Sequence, residues 1–542
     1  MTTKPREAWS SRLGVILAVA GSAVGLGNFL RFPGLAAQYG SGAFMLAYFI
    51  SLLLIGFPIC WVEWTMGRYA GQFGFRSSPG IFSVLIRHPV GKYIGALGVI
   101  IPVCIYMYYV YIEAWCAGYA WYFLTGKLTL GSEVSQYGDF FNRFVGVTED
   151  GLVVKPGSNQ VVIFLVLVFT LNFVIIYRGL SKGIEFFCKW AMPALIVLAI
   201  VILIRVLTLG TPNPALPDRN LLNGLGSMWN PGNMGEQLRN PQLWLAAAGQ
   251  IFFSLSVGFG VIITYASYLS NRDDVVLSGL TASSANEFCE VALGGMITVP
   301  AAFVFLGSAG VLGQGTFALG FKVLPLVFAT MPFPALFGTM FFTLLFLAAV
   351  TSSLSMLQPG IAFLEEAMGV GRKVSVAVLG MVTALGCLFV VNFSKDFKAL
   401  DTIDFWVGTF LIFVLATILI ITFGWGLGIE KGFAEAHRGA HLRIPPVFKF
   451  IIKYVSPAYL LIIFALWVLF NVLGWNLETG GFAPTGYVAD LLGTKDQEPS
   501  AVARFSVLLV GVVLTFIIVL IATAAPRWRA KLAAAENQMK GD

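Results

Sequence analysis

Charge is scarce in this chain. Asp, Glu, Lys and Arg make up 11% of 542 residues, against ~25% in a soluble domain. No stretch is both long and polar enough to fold as a soluble unit. Histidine is rarer still: His88, His437 and His441 all fall in predicted loops. That leaves no Ser–His or metal–His constellation, so a membrane-embedded hydrolase lacks its machinery and the chain is not read as an enzyme. The six cysteines, Cys60, Cys104, Cys116, Cys188, Cys289 and Cys387, form no CxxC, metal spacing or disulfide framework. They read as small buried apolar residues. The net charge of +7 is spread over many short loops, not clustered as a nucleic-acid partner requires.

What is abundant is apolar. Hydrophobic residues reach 58% and the mean hydropathy is +0.83, so the bilayer is the main solvent. With ~20 apolar residues needed per crossing, about twelve spans fit an all-α polytopic membrane protein. They are placed at 13–37, 41–70, 90–124, 160–177, 188–207, 242–270, 277–307, 335–368, 374–392, 399–427, 447–473 and 503–525. The first span holds Asn28, Arg31 and Pro33 and matches a cleavable signal peptide poorly. An even number of spans puts both termini on one side. Assigning the 34 Lys and Arg puts about twice as many inside as outside, giving cytoplasmic termini in the cell (inner) membrane. Long outer segments run over 125–158 and 208–240. In 308–334, Gly313, Gly315, Pro325, Pro332 and Pro334 argue against a continuous helix, and its apolar patches suggest a lid folded back on the membrane domain. The polar 474–500 reads as a surface excursion, and the tail from Arg527 as a short basic end.

Two glycine-broken segments, Val24-Gly25-Leu26-Gly27 and Val257-Gly258-Phe259-Gly260, lie inside apolar spans. A helix broken at bilayer depth leaves N–H and C=O groups that water cannot reach, at several kcal/mol each. Matching breaks in two halves point to a transporter with its site where the helices open. Close helix packing by glycine is the other reading. Charges inside the spans are Arg31, Glu63, Glu113, Glu287, Glu290, Asp401 and Asp404; such residues are usually functional. Glu63 and Glu287 also fit as braces for freed N–H groups, and Arg31 with Asp404 as an outer ion pair. Small oxygen donors gather near mid-span: Asn28, Ser254, Ser256, Asn286, Thr351 and Ser352. Without a His or Cys run, and with few carboxylates to balance two charges, they suit Na⁺. Half-helix starts favour an anionic group and half-helix ends an ammonium. A zwitterion satisfies both, and an α-amino acid is the simplest one. Ile105, Tyr109, Phe253, Phe259 and Met356 would supply apolar walls.

The run AGSAVGLGNFLRFP (20–33) resembles span 1 of the neurotransmitter:sodium symporter family. GQIFFSLSVGFGVIITYASY (249–268) resembles its span 6, NEFCEV (286–291) span 7, TSSLSMLQP (351–359) span 8 and LDTIDFW (400–406) span 10. The likeness covers most of spans 1 to 10 in order. It implies the LeuT-type five-plus-five inverted repeat with helices 1 and 6 broken. The first repeat would occupy 1–207, the second 241–427, and 428–542 would add spans 11 and 12 with a cytoplasmic tail. One Na⁺ site would use the Ala23 carbonyl, Asn28, Ser254, Asn286 and the substrate carboxylate, so that ion and substrate strengthen each other. A second would use carbonyls of Gly21, Val24 and Ala348 with hydroxyls of Thr351 and Ser352. Substrate would lie among Ser22, Ala23, Leu26, Gly27, Ile105, Tyr109, Phe253, Ser254, Ser256, Phe259, Ser352 and Met356. Arg31 and Asp404 would form the outer gate; Arg6, Trp9, Ser267, Tyr268 and Glu366 match the inner one. Gly183 and Pro193 resemble the span 5 motif for local unwinding.

Two positions narrow the substrate within that resemblance. Gly25 stands where monoamine carriers have Asp, so the substrate must bring its own carboxylate. Glu290 occupies the place of a small polar chloride ligand and would substitute for the anion. Ser22, where relatives often have Asn, and Glu366, where Asp is usual, depart from the pattern and leave the preferred side chain open. The expectation is Na⁺-coupled symport of a neutral hydrophobic L-amino acid by alternating access, independent of chloride. A sensor of the same fold that no longer transports is the alternative. Homo-oligomerisation and proton countertransport stay open.

Overall fold

A computed structural model of the chain describes residues 9–155, 158–230, 233–311, 315–477, 479–494 and 497–541. These are helical apart from loops and two isolated bridges, Lys155 with Ser158 and Trp475 with Phe482. Among the described residues nine helices are long and apolar enough to cross a bilayer. They are span 2 (Gly42–Gly71), span 3 (Gly91–Leu124), span 5 (Leu180–Leu207), span 7 (Val275–Gly307), span 8 (Pro334–Met368), span 9 (Arg372–Asn392), span 10 (Lys395–Ala436), span 11 (Val447–Val472) and span 12 (Ala501–Gln538). Span 1 adds a tenth as a pair, Arg12–Ala23 and Gly27–Gln38, bent by 45°. The other two expected crossings are span 4, Val161–Tyr177, and a split span 6, Pro241–Leu255 followed by Val261–Ala266.

The layering follows from where apolar surface can go. Spans 3 and 8 pack along one another at the centre, 78% of their apolar windows buried. Span 12 has the highest hydropathy, 3.1, yet only 22% of its window is buried. Leu508, Val512 and Val519 on it are exposed, as are Ile163 and Leu167 on span 4 and Met381 and Leu385 on span 9. Apolar side chains facing outward around a packed centre are what a hydrocarbon surround favours.

Several expected boundaries move. Span 5 begins at Leu180, because a π-helical turn over Leu180–Glu185 carries Lys182 and Glu185 into the helix. Span 12 continues to Gln538, so the basic end from Arg527 is a helical extension of that span. The segment 308–334 is broken as expected: Gly315 and Met331 are extended and bound a short apolar helix over Thr316–Thr330. Gly315 only precedes the helix, Pro325 sits at the start of the turn Leu324–Thr330, and Pro334 opens span 8. Gly313 lies outside the described residues. The helix does fold back: the Phe321 ring lies 5.4 Å from Trp115, 5.3 Å from Tyr119 and 5.6 Å from Phe141.

Candidate substrate and ion site

The first half of span 1 stops at Ala23, and Val24 turns to ψ 95°. Three residues later Gly27–Arg31 resumes as a wide π-helical turn. Span 6 stops at Leu255; Ser256, Gly258 and Gly260 then take φ of 54°, 76° and 83°. Positive φ is natural for glycine and unusual for Ser256, a backbone choice that clusters at functional sites. The freed N–H groups find side chains. Gly25 N donates to Asn28 Oδ1 at 2.8 Å, Leu26 N to Tyr109 Oη at 3.3 Å and Gly258 N to Glu63 Oε1 at 3.0 Å. Glu63 is thus a brace for span 6, as expected. Glu287 is not: its Oε2 meets the Tyr48 hydroxyl at 2.7 Å.

Gly260 also permits a close crossing. A Cβ there would stand 2.3 Å from the Gly98 carbonyl oxygen of span 3. Gly260→Ala would combine that overlap with a left-handed backbone, so the folded protein should lose at least ~2 kcal/mol. A fall in the thermal midpoint of the detergent-purified transporter checks this; an unchanged midpoint would mean the two helices are not in contact there.

The two breaks face each other across Ser22. Ser256 Oγ donates to the Ser22 carbonyl at 2.9 Å, and the Ser22 hydroxyl lies 2.7 Å from Ser355 and 3.3 Å from Ser256. Gly27, Arg31, Tyr109 and Phe253 are half-buried amid fully buried neighbours, so the break adjoins open space. Phe253 and Phe259 meet edge to face at 5.6 Å, and the Arg31 guanidinium lies 4.0 Å above the Phe253 ring. Ile105 and Tyr109 occupy successive turns of span 3, Ser352 and Met356 successive turns of span 8. A Cβ on Gly25 would stand 2.9 Å from Ser352 Oγ and 3.1 Å from Tyr109 Oη, which places both hydroxyls at the unwound segment.

Of the first expected ion set, Asn28, Asn286 and Ser254 lie together. Asn28 Nδ2 donates to Asn286 Oδ1 at 2.9 Å, and Asn286 Nδ2 to Ser254 Oγ at 2.6 Å. Ala23 ends the helix just before it. The π-helical turn Phe288–Gly295 of span 7 packs directly on this segment, and a Cβ on Gly294 would meet the Asn28 carbonyl oxygen at 2.0 Å. In the second set, a Cβ on Gly21 would stand 3.2 Å from Thr351 Cβ. Thr351 Oγ1 and Ser352 Oγ donate to the Ala348 carbonyl at 3.0 and 3.1 Å, and Ser352 also reaches the Ser22 carbonyl at 3.2 Å. Val24, with its extended backbone, follows Gly21 in the same segment. Both sets are hydroxyl, amide and carbonyl oxygens without a carboxylate of their own, a donor set that fits Na⁺ better than a divalent or thiophilic metal.

Next to the first set is a buried acidic hub. Glu290 accepts from Tyr48 at 2.5 Å and also from Gln250 and Ser254. Tyr48 has one proton, yet touches both Glu290 and Glu287. It can donate to only one carboxylate, so the other carboxyl must donate to it, and the pair holds a proton. Tyr48 and Gln250 are partners of Glu290 that sequence reasoning missed. A tyrosine in an apolar span looks like packing; the lone amide in GQIFF was the available signal.

The gates differ. Asp404 accepts from Tyr108 Oη at 2.6 Å, and among the described residues no ion pair joins it to Arg31. The expected outer pair is therefore unformed here, because Phe253 engages the guanidinium instead. The inner face is tied. Trp9 Nε1 donates to the Tyr265 carbonyl at 3.1 Å, and Glu366 accepts from Arg76 N at 3.0 Å and Ser77 N at 2.8 Å. Tyr268 accepts from Gln358 at 3.1 Å, and Ser267 donates to the Thr264 carbonyl at 2.6 Å. Arg6 lies outside the described residues. A latch not foreseen joins span 1 to span 5: Ser10 and Ser11 hydroxyls donate to Glu185 at 2.5 and 2.9 Å. In the same helix, Gly183 approaches the Ile175 carbonyl too closely to admit a Cβ, and Pro193 lies within the helix.

Two broken helices whose polar residues face each other in the middle of a many-span bundle mark a multi-pass secondary transporter. Residues 6–137 and 127–476 match the sodium:neurotransmitter symporter family, and the chain belongs to it. It is a sodium-dependent transporter and not an enzyme. It is 28% identical to the sodium-dependent transporter MJ1319 of Methanocaldococcus jannaschii over 85% of this chain and 90% of that protein. The sodium-dependent serotonin transporter of Drosophila melanogaster is 26% identical over 89% of this chain and 78% of its own length. The crystal structure of MhsT in complex with L-phenylalanine superposes with a TM-score of 0.73 at 29% identity, covering 85% of this chain and 99% of MhsT. The fold is therefore the LeuT fold.

Proposed function

We propose that this protein imports a neutral hydrophobic L-amino acid with Na⁺, by alternating access and without a chloride requirement. The observation that carries the reading is Gly25. The unwound segment presents N–H groups and hydroxyls but no carboxylate, and no side chain fits at Gly25 without displacing Ser352 or Tyr109. An ammonium-only solute would find no fixed counter-charge there, whereas a zwitterion brings its own and lends it to the first Na⁺. Ile105, Phe253, Phe259 and Met356 give its side chain an apolar surround, and the likeness to MhsT, solved with L-phenylalanine, supports this class.

Two Na⁺ are assigned, one to Ala23, Asn28, Ser254 and Asn286, the other to Gly21, Val24, Ala348, Thr351 and Ser352. The tied inner face and the unformed Arg31–Asp404 pair support an outward-facing state, with Phe253 and Tyr109 closing over substrate before the pair forms. Spans 1–5 (1–207) and 6–10 (241–427) serve as the inverted halves, with both termini cytoplasmic. Proteoliposomes loaded with hydrophobic amino acids should show counterflow, and uptake should collapse to background when the inward Na⁺ gradient is removed. Uptake indifferent to Na⁺ would reject the coupling; binding without any translocation would favour a sensor.

A further inference from the structure

Away from the central site, a cavity of ≈ 180 Å³ opens where the helical tail of span 12 crosses the start of span 3. Ser83, Ile86, His88, Lys92, Trp528 and Arg529 are among its lining. Lys92 is only 8% exposed. Among the described residues its ammonium has neither a carboxylate nor a hydrogen-bond acceptor; its one neighbour of note is the Tyr93 ring at 5.1 Å. Arg529 forms no ion pair among the described residues either, and its charge acts directly on Lys92. Two like charges brought together around a cavity repel unless an anion lies between them. His88 adds a third donor: its Nδ1 accepts from Val90 N at 3.3 Å, which leaves Nε2 to carry the N–H. Arg87 is excluded from the count, because Glu536 neutralises it at 3.2 Å.

The position says which anion. Span 12 is apolar up to Ala525, and Arg527, Arg529 and Lys531 follow within two turns. The cavity is thus at the level where hydrocarbon gives way to headgroups. Trp528, fixed by its Nε1 to the Glu366 carbonyl at 3.3 Å, forms one wall with Ile86 and Leu532. Basic pockets between helices at this depth bind phospholipid headgroups, and indole rings settle at the same level. We infer that Lys92, Arg529 and His88 hold the phosphate of an anionic phospholipid, docking the span 12 tail against the loop before span 3.

The test is native mass spectrometry of the full-length protein, delipidated in neutral detergent and titrated with dioctanoyl phosphatidylglycerol, dioctanoyl phosphatidylcholine or inorganic phosphate. One phosphatidylglycerol should be retained and phosphatidylcholine should not. The double variant Lys92→Gln/Arg529→Gln should lower retention by about 30-fold, from two lost interfacial charges. Lys92→Arg should keep it. Arg529→Gln alone, on an exposed helix face, should lower it by about fivefold even if the double variant folds poorly. Equal retention in Arg529→Gln, or equal retention of phosphatidylcholine, would overturn the site. Full displacement by millimolar phosphate would overturn the lipid assignment in favour of a free-anion site.

Discussion

Asn28→Ala should weaken substrate and Na⁺ binding together, each by about 10–100-fold. Asn28 has two jobs at the break. Its Oδ1 holds the freed Gly25 N–H at 2.8 Å, and its amide joins Asn286 at 2.9 Å, which in turn reaches Ser254. If the substrate carboxylate is itself a ligand of that ion, the coupling free energy is shared, and any lost coupling appears equally in both affinities. Ser254→Ala should behave alike, since Ser254 bridges the ion set to Glu290. Thr351→Ala, in the set that substrate does not touch, should shift Na⁺ dependence with little change in substrate affinity at saturating Na⁺. Radioligand binding titrated against both Na⁺ and substrate separates these outcomes. Independent shifts in the two affinities of Asn28→Ala would count against a shared site.

The same residues show what a linear chain reveals and what it hides. Gly25, Gly27, Gly258 and Gly260 are legible because glycine pairs in an apolar run contradict local helix propensity, and such a contradiction has to be resolved by tertiary partners. Asn28, Ser254, Asn286, Thr351 and Ser352 stand out by being polar where hydrocarbon is expected. The partners that resolve the contradictions are less visible. Tyr48 and Gln250 act on Glu290 from spans 2 and 6, a convergence that no spacing encodes. Glu185, just before the expected start of span 5, is the acceptor that ties Ser10 and Ser11 to that span. The helix Thr316–Thr330 was hidden for the opposite reason. Its flanking Gly and Pro residues signal turns locally, while packing of Phe321 into the Trp115, Tyr119 and Phe141 rings favours a compact helix. Polar anomalies mark a site from sequence; the second residue of each interaction comes from the fold.

Glu290→Ser should make a chloride-indifferent transporter depend on chloride. Glu290 is wholly buried and ringed by donors: the Tyr48 and Ser254 hydroxyls and the Gln250 amide. The proton counting at Tyr48 leaves one negative charge on the Glu287–Glu290 pair. The Ser254 hydroxyl and the Gln250 amide also donate to Glu290, so Glu290 is where that charge rests. Ser254 links it to the first Na⁺ set, so the charge balances the ion through one hydroxyl. Unit charges about 4–6 Å apart interact by about 3–4 kcal/mol at an effective dielectric near 20. Losing the carboxylate should therefore reduce Na⁺-driven uptake in chloride-free gluconate buffer by about a hundredfold or more. The shorter side chain leaves room among the same donors, so a halide can restore the charge and with it the uptake. Glu290→Gln keeps the volume while removing the charge, and should stay impaired with or without chloride. Uptake by Glu290→Ser that is strong in gluconate would show that the carboxylate does not serve as the counter-ion, and the account of chloride independence would fail with it.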